Sequence, residues 1–385
     1  MIAYLKKLIE NEGKNLYLFG AGEHGKAVSK SLSLVGIRYN GIFDNAYPNG
    51  GKKEDTLILP LKILYDNPNK NDIWVVITCE HENSVRKQLM DYGINNILNM
   101  RHLAMPHIDT KEQLCFKEVS HPLVSVLITA FNGWDYTYTC LKSLYENENQ
   151  CEFEVILGDD CSTDETIHAE AYIHGVNVVR HPNNMQYLRN VNTIAGLARG
   201  KYILLLANDV VLNQKRYMDR MLNRMKEDEN IGILGGKIWV PMKDKYVVGR
   251  NFKDADSLVS VKEDIEQNVE EIQPVAVMIK KEAWDAVGGF DEIFLPVYWE
   301  DLDFMLRIIK EGYEIRYCPE FEVTHFHGSS YSANSLGNES YKKNREVFMN
   351  RWSEYILQGM AQRQKYWKRK WEDIKLSQVE SGGNR

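Results

Sequence analysis

Two stretches of the chain alternate short apolar runs with segments of helical periodicity. In the first stretch, NLYLF, IRYNGIFD and IWVVITC predict strands, and EHGKAVSKSLSLVG places apolar residues at the spacing of a helix. In the second, LVSVLITAF, FEVILGDD, VNVVRH and KYILLLAND predict strands with helices between them. Such alternation is typical of α/β domains built on parallel sheets. The pattern therefore predicts an α/β protein with two such domains, the first of them Rossmann-like.

A polar stretch, HIDTKEQLCFKEVSHP, separates the two series and is typical of a connector. We therefore expect a Rossmann-like domain over residues 1–112 and a second α/β domain over residues 120–338. The remaining residues, 339–385, are basic and rich in tryptophan, and they predict a helical C-terminal extension.

Composition narrows the class of protein. The hydrophobic fraction of 44% and the charged fraction of 26% are ordinary for a globular protein, and the net charge of -7 argues against non-specific nucleic-acid binding. The 6 cysteines show no C-x-x-C spacing, which argues against a zinc site or a disulfide framework. The first residues lack the apolar core of a signal peptide, and no apolar run approaches the roughly 20 residues that cross a bilayer. These features predict a reduced, cytoplasmic protein.

A glycine-rich loop follows the first predicted strand. Gly20, Gly22 and Gly25 have the G-x-G-x-x-G spacing, and Asp44 ends the next strand. Such glycines allow a tight turn and close backbone approach, the following helix N-terminus attracts phosphate, and an acid placed like Asp44 can accept a hydrogen bond from a ribose hydroxyl. The loop predicts either a nucleotide-like ligand or a turn whose glycines serve packing alone.

The segments LFGAGEHGKAVSKSL and GIRYNGIFDN resemble the N-terminal domain of bacterial sugar O-acetyltransferases of the left-handed β-helix type. In that family the domain is associated with nucleotide-sugar substrates rather than with NAD. The hexapeptide-repeat domain that follows there is missing from this chain, so the resemblance does not imply acetyl transfer.

Polar residues also follow the predicted strands of the second series, where open α/β sheets collect ligand-binding groups. Asp159 and Asp160 end FEVILGDD, and Asn208 and Asp209 end KYILLLAND. The residues CSTDET behind the first pair fit a helix N-cap, and a single acid at a strand end can simply be a loop residue. Paired carboxylates exceed what a cap requires, so we expect a ligand site at this edge.

The stretch YWEDLDFMLRIIK predicts a helix with an acidic first turn. Glu300, Asp301 and Asp303 lie there beside Trp299. The helix dipole accounts for one of these acids. Three acids repel one another, and an indole that partly excludes water raises a carboxyl pKa toward the range of a general base. We therefore expect the general base in this cluster.

Two histidines follow in HFHGSS. His325 and His327 share one face of an extended chain, and either can bind a metal through a neutral imidazole. A single histidine is more often structural, but this pair comes after an acidic cluster.

In this order, the motifs resemble those of inverting family-two glycosyltransferases of the GT-A fold. The resemblance covers about residues 122 to 352 and rests on VSVLITAFN, DDCSTD, LRNVNTIAGLARGKYILLLAND, VMIKKEAWDAVGGFDEIF, WEDLD, HFHGSS and NREVFMNRW. It implies transfer with inversion from a nucleotide-diphosphate sugar, UDP- or dTDP-linked, to a hydroxyl of a glycan, lipid-linked or protein acceptor. The implied setting is bacterial glycan or glycoprotein biosynthesis, and the implied cofactor is Mn2+ or Mg2+.

The resemblance also implies roles for individual residues. Asp301 matches the general base, with Glu300 beside it. Asp209 and His325 match metal ligands, with His327 as the alternative to the latter. The positions that match or flank the donor site are Thr129, Asp159, Asp160, Arg189, Asn208 and Trp299.

Two other functions stay open. An oxidoreductase could use the N-terminal glycine loop, or the chain could bind a nucleotide sugar without catalysis. Ala207 is the hint for the second, because it stands where the first acid of a D-x-D metal motif would be. Asp209 and His325 would then share the metal with diphosphate oxygens and waters.

The C-terminal extension allows two interpretations. Its tryptophans, Trp352, Trp367 and Trp371, either pack against their own domain or a second subunit, or contact an anionic membrane surface that carries a lipid-linked acceptor. The basic residues among them are Lys365, Lys368, Arg369 and Lys370. We favour packing, which allows a homo-oligomer; the second interpretation makes the protein peripheral at the inner face of the membrane.

Overall fold

The computed structural model describes residues 2–79, 81–100, 103, 110–241, 244–255, 257–326 and 339–359. It contains two compact units, the first built from residues 1–108 and the second from residues 109–325 together with the C-terminal helix. The predicted boundaries at residues 112, 120 and 338 stay predictions.

The first unit is a six-stranded sheet flanked by helices. Its strand order is β3-β4-β2-β1-β5-β6, and all neighbouring strands are parallel except β3 and β4. The strands are β1 (Asn15–Phe19), β2 (Gly41–Phe43), β3 (Gly51–Lys53), β4 (Thr56–Ile58), β5 (Ile73–Ile77) and β6 (Asn96–Asn99). The helices are α1 (Ile2–Glu10), α2 (Glu23–Leu34), α3 (Leu61–Tyr65) and α4 (Glu82–Asp91), with a 3-10 turn at Lys70–Asp72. The predicted Rossmann-like parallel sheet is confirmed.

The glycine loop of this unit is closed by contacts within the protein. Gly20 has a φ of 118°, and its carbonyl oxygen accepts a hydrogen bond of 2.7 Å from Thr78 Oγ1. The Asp44 carboxylate accepts hydrogen bonds from the backbone N–H groups of Ala21 (2.8 Å) and Ala46 (2.9 Å). One Asp44 oxygen therefore holds the glycine loop and the other holds its own turn, which supports the interpretation that the loop serves the turn and its packing.

The three glycines of the loop have different steric requirements. A Cβ on Gly25 would lie 2.0 Å from the carbonyl oxygen of Gly20, whereas a Cβ on Gly22, which has an ordinary φ of -80°, would meet nothing within 4 Å. The first turn of α2 therefore approaches the end of β1 through Gly25, as in other glycine-rich strand–helix turns.

We predict that Gly25→Ala destabilises the first unit by about 1–3 kcal/mol, because the added methyl group forces the backbone apart. Thermal and urea unfolding measure the change. Gly22→Ala is the matched control, and it should change the free energy of unfolding by less than about 1 kcal/mol. Equal stabilities of the two variants would contradict the close approach at Gly25.

The second unit is built on a ten-stranded mixed sheet. Its main path is β11-β9-β8-β12-β19-β14-β20-β13, with β15 paired to β14 and β18 paired to β20. The described strands of the whole unit, inside and outside this sheet, are β7 (Leu114–Cys115), β8 (Val124–Ala130), β9 (Phe153–Asp159), β10 (Ile173–His174), β11 (Val176–Arg180), β12 (Tyr202–Ala207), β13 (Val210–Leu212), β14 (Ile231–Val240), β15 (Lys245–Val247), β16 (Arg250–Phe252), β17 (Leu258–Ser260), β18 (Gln267–Val269), β19 (Ala276–Lys280) and β20 (Glu314–His325).

Helices cover this sheet. They are α5 (Trp134–Tyr145), α6 (Gln186–Gly196), α7 (Tyr217–Glu227), α8 (Lys281–Val287), α9 (Glu300–Lys310) and a C-terminal helix, α10, over residues 339–359, with 3-10 turns at Glu165–Ala171 and Glu292–Phe294. The parallel strands β8 and β12 are buried along almost their whole length, as expected for strands covered on both faces. The predicted α/β class is confirmed.

Strand register aligns one edge of the sheet. Thr129 on β8 pairs with Gly158 on β9 and with Ala207 on β12. The carboxyl ends of three parallel strands therefore lie side by side, and the polar residues that follow them are delivered to the same edge.

The described part of the C-terminal extension is helical and packs on the second unit. Phe348, Trp352 and Ile356 recur at every fourth position and are buried in its core. The packing interpretation therefore holds for α10, whereas Trp367, Trp371 and the basic residues between them lie outside the described residues. No described helix is long and apolar enough to span a bilayer.

Candidate active site

Two buried acids lie where β9 ends. The Asp159 carboxylate accepts a hydrogen bond of 3.0 Å from the Ser162 backbone N–H and forms an ion pair with Arg180. Asp160 accepts a hydrogen bond from the Met185 backbone N–H, and burial raises the pKa of Asp160 above its usual range. Both predicted donor-binding acids thus order the loops that follow the sheet edge, and Asp160 joins that edge to the start of α6.

Asn208 and Asp209 follow β12, as predicted, but they face different partners. Asn208 donates a hydrogen bond of 2.9 Å from its side-chain amide to Thr137 on α5, which ties the strand end to that helix. Asp209 is buried, and its Oδ1 lies 3.0 Å from Nε2 of His325. The antiparallel pairing of Val210 with His325 holds the two side chains together.

The Asp209–His325 pair has the chemistry of a small metal site. It offers one carboxylate oxygen and one imidazole nitrogen, and the described residues contain no group of three His, Cys, Asp or Glu side chains that could hold an ion. Mg2+ and similar ions take few protein ligands when phosphate oxygens and water complete the coordination shell. The pair fits such an ion, and His327 lies outside the described residues.

The acidic turn predicted to hold the base begins with an unusual backbone. Tyr298 and Trp299 have φ values of 83° and 73°, in the left-handed region that non-glycine residues seldom occupy. Each such residue costs on the order of 1–3 kcal/mol, so the surrounding structure must impose the conformation. α9 starts immediately after this turn, and its first two residues are Glu300 and Asp301.

The two acids of this turn, the buried Glu300 and the half-buried Asp301, each have an enclosed carboxyl oxygen. Glu300 is 3% exposed, and within the described residues Glu300 Oε2 and Asp301 Oδ1 are buried oxygens without a hydrogen-bond partner. The indole nitrogen of Trp299 is also buried and has no hydrogen-bond partner within the described residues. Buried polar atoms are nearly always paired in folded proteins, so this group is a candidate position for a ligand.

Burial also changes the protonation of this pair. Burial raises the pKa of Glu300 to about 7, against the effect of backbone N–H groups of Glu300 and Tyr298. Burial raises the pKa of Asp301 well above its usual range, and the nearby charges of Glu300 and Glu271 raise it further while Arg250 lowers it. Two adjacent acids in a region of low dielectric resist carrying two charges, which is the behaviour expected of a proton acceptor.

Three residues that the sequence analysis missed surround this pair. Arg250 forms a two-pronged ion pair with the buried Glu271, and its charge acts on Asp301. Tyr187, in the first turn of α6, has its pKa raised by burial and by the charges of Asp301 and Glu300. Neither the strand that carries Arg250 nor the residues around Glu271 contain a sequence motif, so only the tertiary contacts reveal them.

Arg189 and Asp303 have structural partners. Arg189 Nε donates to Glu292, 2.8 Å away, and so links α6 to the loop before the acidic turn. Asp303, the third acid of the predicted cluster, is fully buried and accepts hydrogen bonds from Arg307, Arg351 and Trp352. Asp303 therefore anchors α10 to α9 and differs from the incompletely bonded pair before it.

Residues 125–274 match the family model described as glycosyl transferase family 2. The match confirms the predicted resemblance to that family over these residues. The matched range contains Thr129, Asp159, Asp160 and Asp209 and ends before the acidic turn. The likeness of the first unit to sugar O-acetyltransferases stays a prediction, as do the roles of the individual site residues.

Relatives are similar over part of their length. The chain is 24% identical over 193 residues to an uncharacterized glycosyltransferase of Haemophilus influenzae, covering 49% of this chain and 63% of that protein. It is 23% identical over 239 residues to the O-antigen biosynthesis protein RfbC of Myxococcus xanthus, covering 57% of this chain and 18% of that protein. The alignments thus span less than two thirds of either relative. Among solved structures, it resembles GalNAc-T7 with UDP, GalNAc and Mn2+, at a TM-score of 0.46 and 14% identity over 59% of this chain and 48% of that one.

We predict that the buried acid makes stability depend on pH. The pKa of Glu300 is about 7 in the folded state, above the value of about 4.3 of a glutamate in an unfolded chain. The folded state therefore holds this proton more tightly, and the free energy of unfolding falls as the pH rises from about 4 to about 7. Glu300→Gln should remove this loss and be more stable than the wild type at pH 8 by about 1–3 kcal/mol.

Urea unfolding at pH 4.5 and pH 8 measures the effect, and the two proteins should converge at the lower pH. Asp264→Asn, at a side chain that is 87% exposed, is the control and should leave the pH dependence unchanged. If Glu300→Gln gains no stability at pH 8, the buried acid does not have the raised pKa.

Proposed function

We propose that this protein is an inverting glycosyltransferase, and that Asp301 is its general base. It moves a sugar from a nucleotide-diphosphate donor, UDP- or dTDP-linked, to a hydroxyl group of an acceptor. The proposal is supported by the match of residues 125–274 to glycosyl transferase family 2 and carried by one structural observation. That observation is the buried Asp301 oxygen that has no hydrogen-bond partner in the described parts of the chain.

The base has to accept one proton as the acceptor hydroxyl attacks the anomeric carbon. The new bond forms between the hydroxyl oxygen and that carbon, the bond to the diphosphate oxygen breaks on the opposite face, and the hydroxyl proton passes to the Asp301 carboxylate. A single displacement inverts the anomeric carbon and needs no covalent sugar–enzyme intermediate. The raised pKa of Asp301 makes it a stronger proton acceptor than an ordinary exposed carboxylate.

The donor would lie along the edge formed by Thr129, Asp159 and Asp160, close to the start of α6. Asp209 and His325 would hold a divalent cation, Mn2+ or Mg2+, that when bound neutralises charge on the diphosphate. The chain's own contribution there is to fix the carboxylate and imidazole 3.0 Å apart through the pairing of β13 with β20.

The acceptor and setting follow from chemistry and from relatives. We propose a glycan, lipid-linked or protein hydroxyl as the acceptor and bacterial glycan or glycoprotein biosynthesis as the setting, which the name of the Myxococcus relative supports. The alternative of an NAD-dependent oxidoreductase receives no support from the glycine loop, because the Asp44 oxygens that would bind a ribose already hold Ala21 and Ala46.

We predict that Asp301→Asn folds normally and loses transfer by about 100-fold or more, because an amide cannot accept the proton. Initial rates of sugar transfer measured across pH test this. In the wild type, kcat should fall as the pH drops below an apparent pKa that lies well above that of an ordinary aspartate. In Glu300→Gln this apparent pKa should be lower, since one neighbouring negative charge is gone. Near-normal turnover of Asp301→Asn would remove this residue from the role of base.

We predict that Asp209→Ala and His325→Ala each raise the Mn2+ or Mg2+ concentration needed for half-maximal activity, by about tenfold or more. Metal titrations of the initial rate measure the change. Thr324→Val is the control, since this neighbour on β20 bonds to the exposed Asn213. Titrations of both alanine variants that coincide with the control would exclude the pair as metal ligands.

A further inference from the structure

The turn that carries the proposed base is held by a helix distant from it in sequence. The loop from Phe294 to Trp299 leads into α9 through two consecutive residues of positive φ and contains a cis peptide bond between Leu295 and Pro296. Its own residues offer no regular secondary structure between the 3-10 turn and α9. The contacts that hold it come from α10.

Asn344 makes the central contact. This residue is 0% exposed, and its side-chain Nδ2 donates hydrogen bonds to the carbonyl oxygens of Val297 (2.9 Å) and Tyr298 (3.2 Å) and to that of Phe294. The two N–H bonds of one amide group thus reach three backbone carbonyls of the loop, so that one N–H is shared between two of them. Buried carbonyl groups need such donors, and the loop has no helix or strand to provide them.

The chemistry of the side chain explains why an asparagine lies there. Only a side chain with an N–H or O–H donor can satisfy these carbonyls, and an amide supplies two N–H donors without burying a charge. The Asn344 Oδ1 has no hydrogen-bond partner among the residues that the structure describes, even though it is buried. The helix therefore accepts an unsatisfied oxygen in order to place the donor against the loop.

Aromatic contacts and an ion pair complete the support. The Trp299 ring packs on Phe348, with ring centroids 4.9 Å apart, and on Tyr341, with centroids 5.6 Å apart. Arg351 and Trp352 lie about one helical turn beyond Phe348. Each donates a hydrogen bond of 2.8 Å to Asp303 of α9. α10 thus contacts Trp299, directly before the acidic pair, and Asp303, two residues after it.

We propose that Asn344 is a positioning residue for the transfer reaction, and that α10 holds the strained Tyr298–Trp299 turn in the conformation that presents Glu300 and Asp301. The inference rests on the proposed role of Asp301. It gives a function to NREVFMNRW, a motif of the resemblance for which the proposed mechanism has no role. A base must be held within a fraction of an ångström of its productive position, so a loosened turn lowers kcat more than it weakens donor binding.

The test compares two substitutions in the same helix. Asn344→Leu keeps the number and branching of the side-chain heavy atoms and removes the donor. Ile356→Ala is the matched control, because Ile356 is also 0% exposed but lies twelve residues further along, about 18 Å by helix geometry. Both variants lose stability, and only the first should release the turn.

Hydrogen exchange followed by mass spectrometry reads the turn directly. We expect peptides that cover residues 297–305 to exchange at least about tenfold faster in Asn344→Leu and at the wild-type rate in Ile356→Ala. We also expect kcat to fall by about tenfold or more in Asn344→Leu with little change in the KM for the donor. If Asn344→Leu does not fold, Phe348→Leu, which removes the ring contact with Trp299, should give the same pattern.

Two results would overturn the inference. One is exchange over residues 297–305 that is the same in Asn344→Leu and in Ile356→Ala. The other is faster exchange with an unchanged kcat, which would leave Asn344 a structural residue only. Exchange does not depend on turnover, so a wild-type protein without transferase activity would contradict the proposed function while the exchange comparison still decides whether Asn344 holds the turn.

Discussion

The pair of adjacent acids at the start of α9, one buried and one half-buried, is the feature on which the rest of the site depends. Placing Glu300 and Asp301 in a region of low dielectric disfavours their charged forms, so the protein accepts a loss of stability at neutral pH that a hydrophobic pair would avoid. Such a pair persists only where other contacts hold it. The charge of Arg250 beside Glu271 favours the ionised form of Asp301, and α10 packs on the turn that carries the pair.

The acids around this site differ in their hydrogen-bond partners. Asp159 and Asp303 have their oxygens occupied by arginine, backbone or indole donors, and they hold loops and helices in place. Asp301 retains a buried oxygen with no donor within the described residues. This difference separates supporting acids from the proposed base, although all three follow the same kind of sequence pattern, an acid at the end of a strand or the start of a helix.

The first unit illustrates the opposite outcome. Its glycine loop has the spacing of a phosphate-binding turn, yet the acid that follows the next strand accepts a hydrogen bond from the backbone N–H of Ala21 in that loop. Gly25 is required because a methyl group would meet the Gly20 carbonyl, a demand of helix–strand packing that exists with or without a ligand. A motif that arises from packing as well as from binding cannot by itself identify a ligand.

The sequence by itself determined the α/β class, the alternation of strands and helices, the resemblance to family-two glycosyltransferases and the acids that follow the strands, because these depend on local periodicity and on short motifs. IRYNGIFD shows the limit of such patterns, since only Gly41–Phe43 forms a strand there. The tertiary structure alone decided that Asp303 anchors α10, that the charges of Arg250 and Glu271 act on Asp301, the proposed base, and that Asn344 bonds to the turn before it. The physical reason is that hydrogen bonding and burial join residues far apart in the chain, and no local pattern records which donor reaches which acceptor.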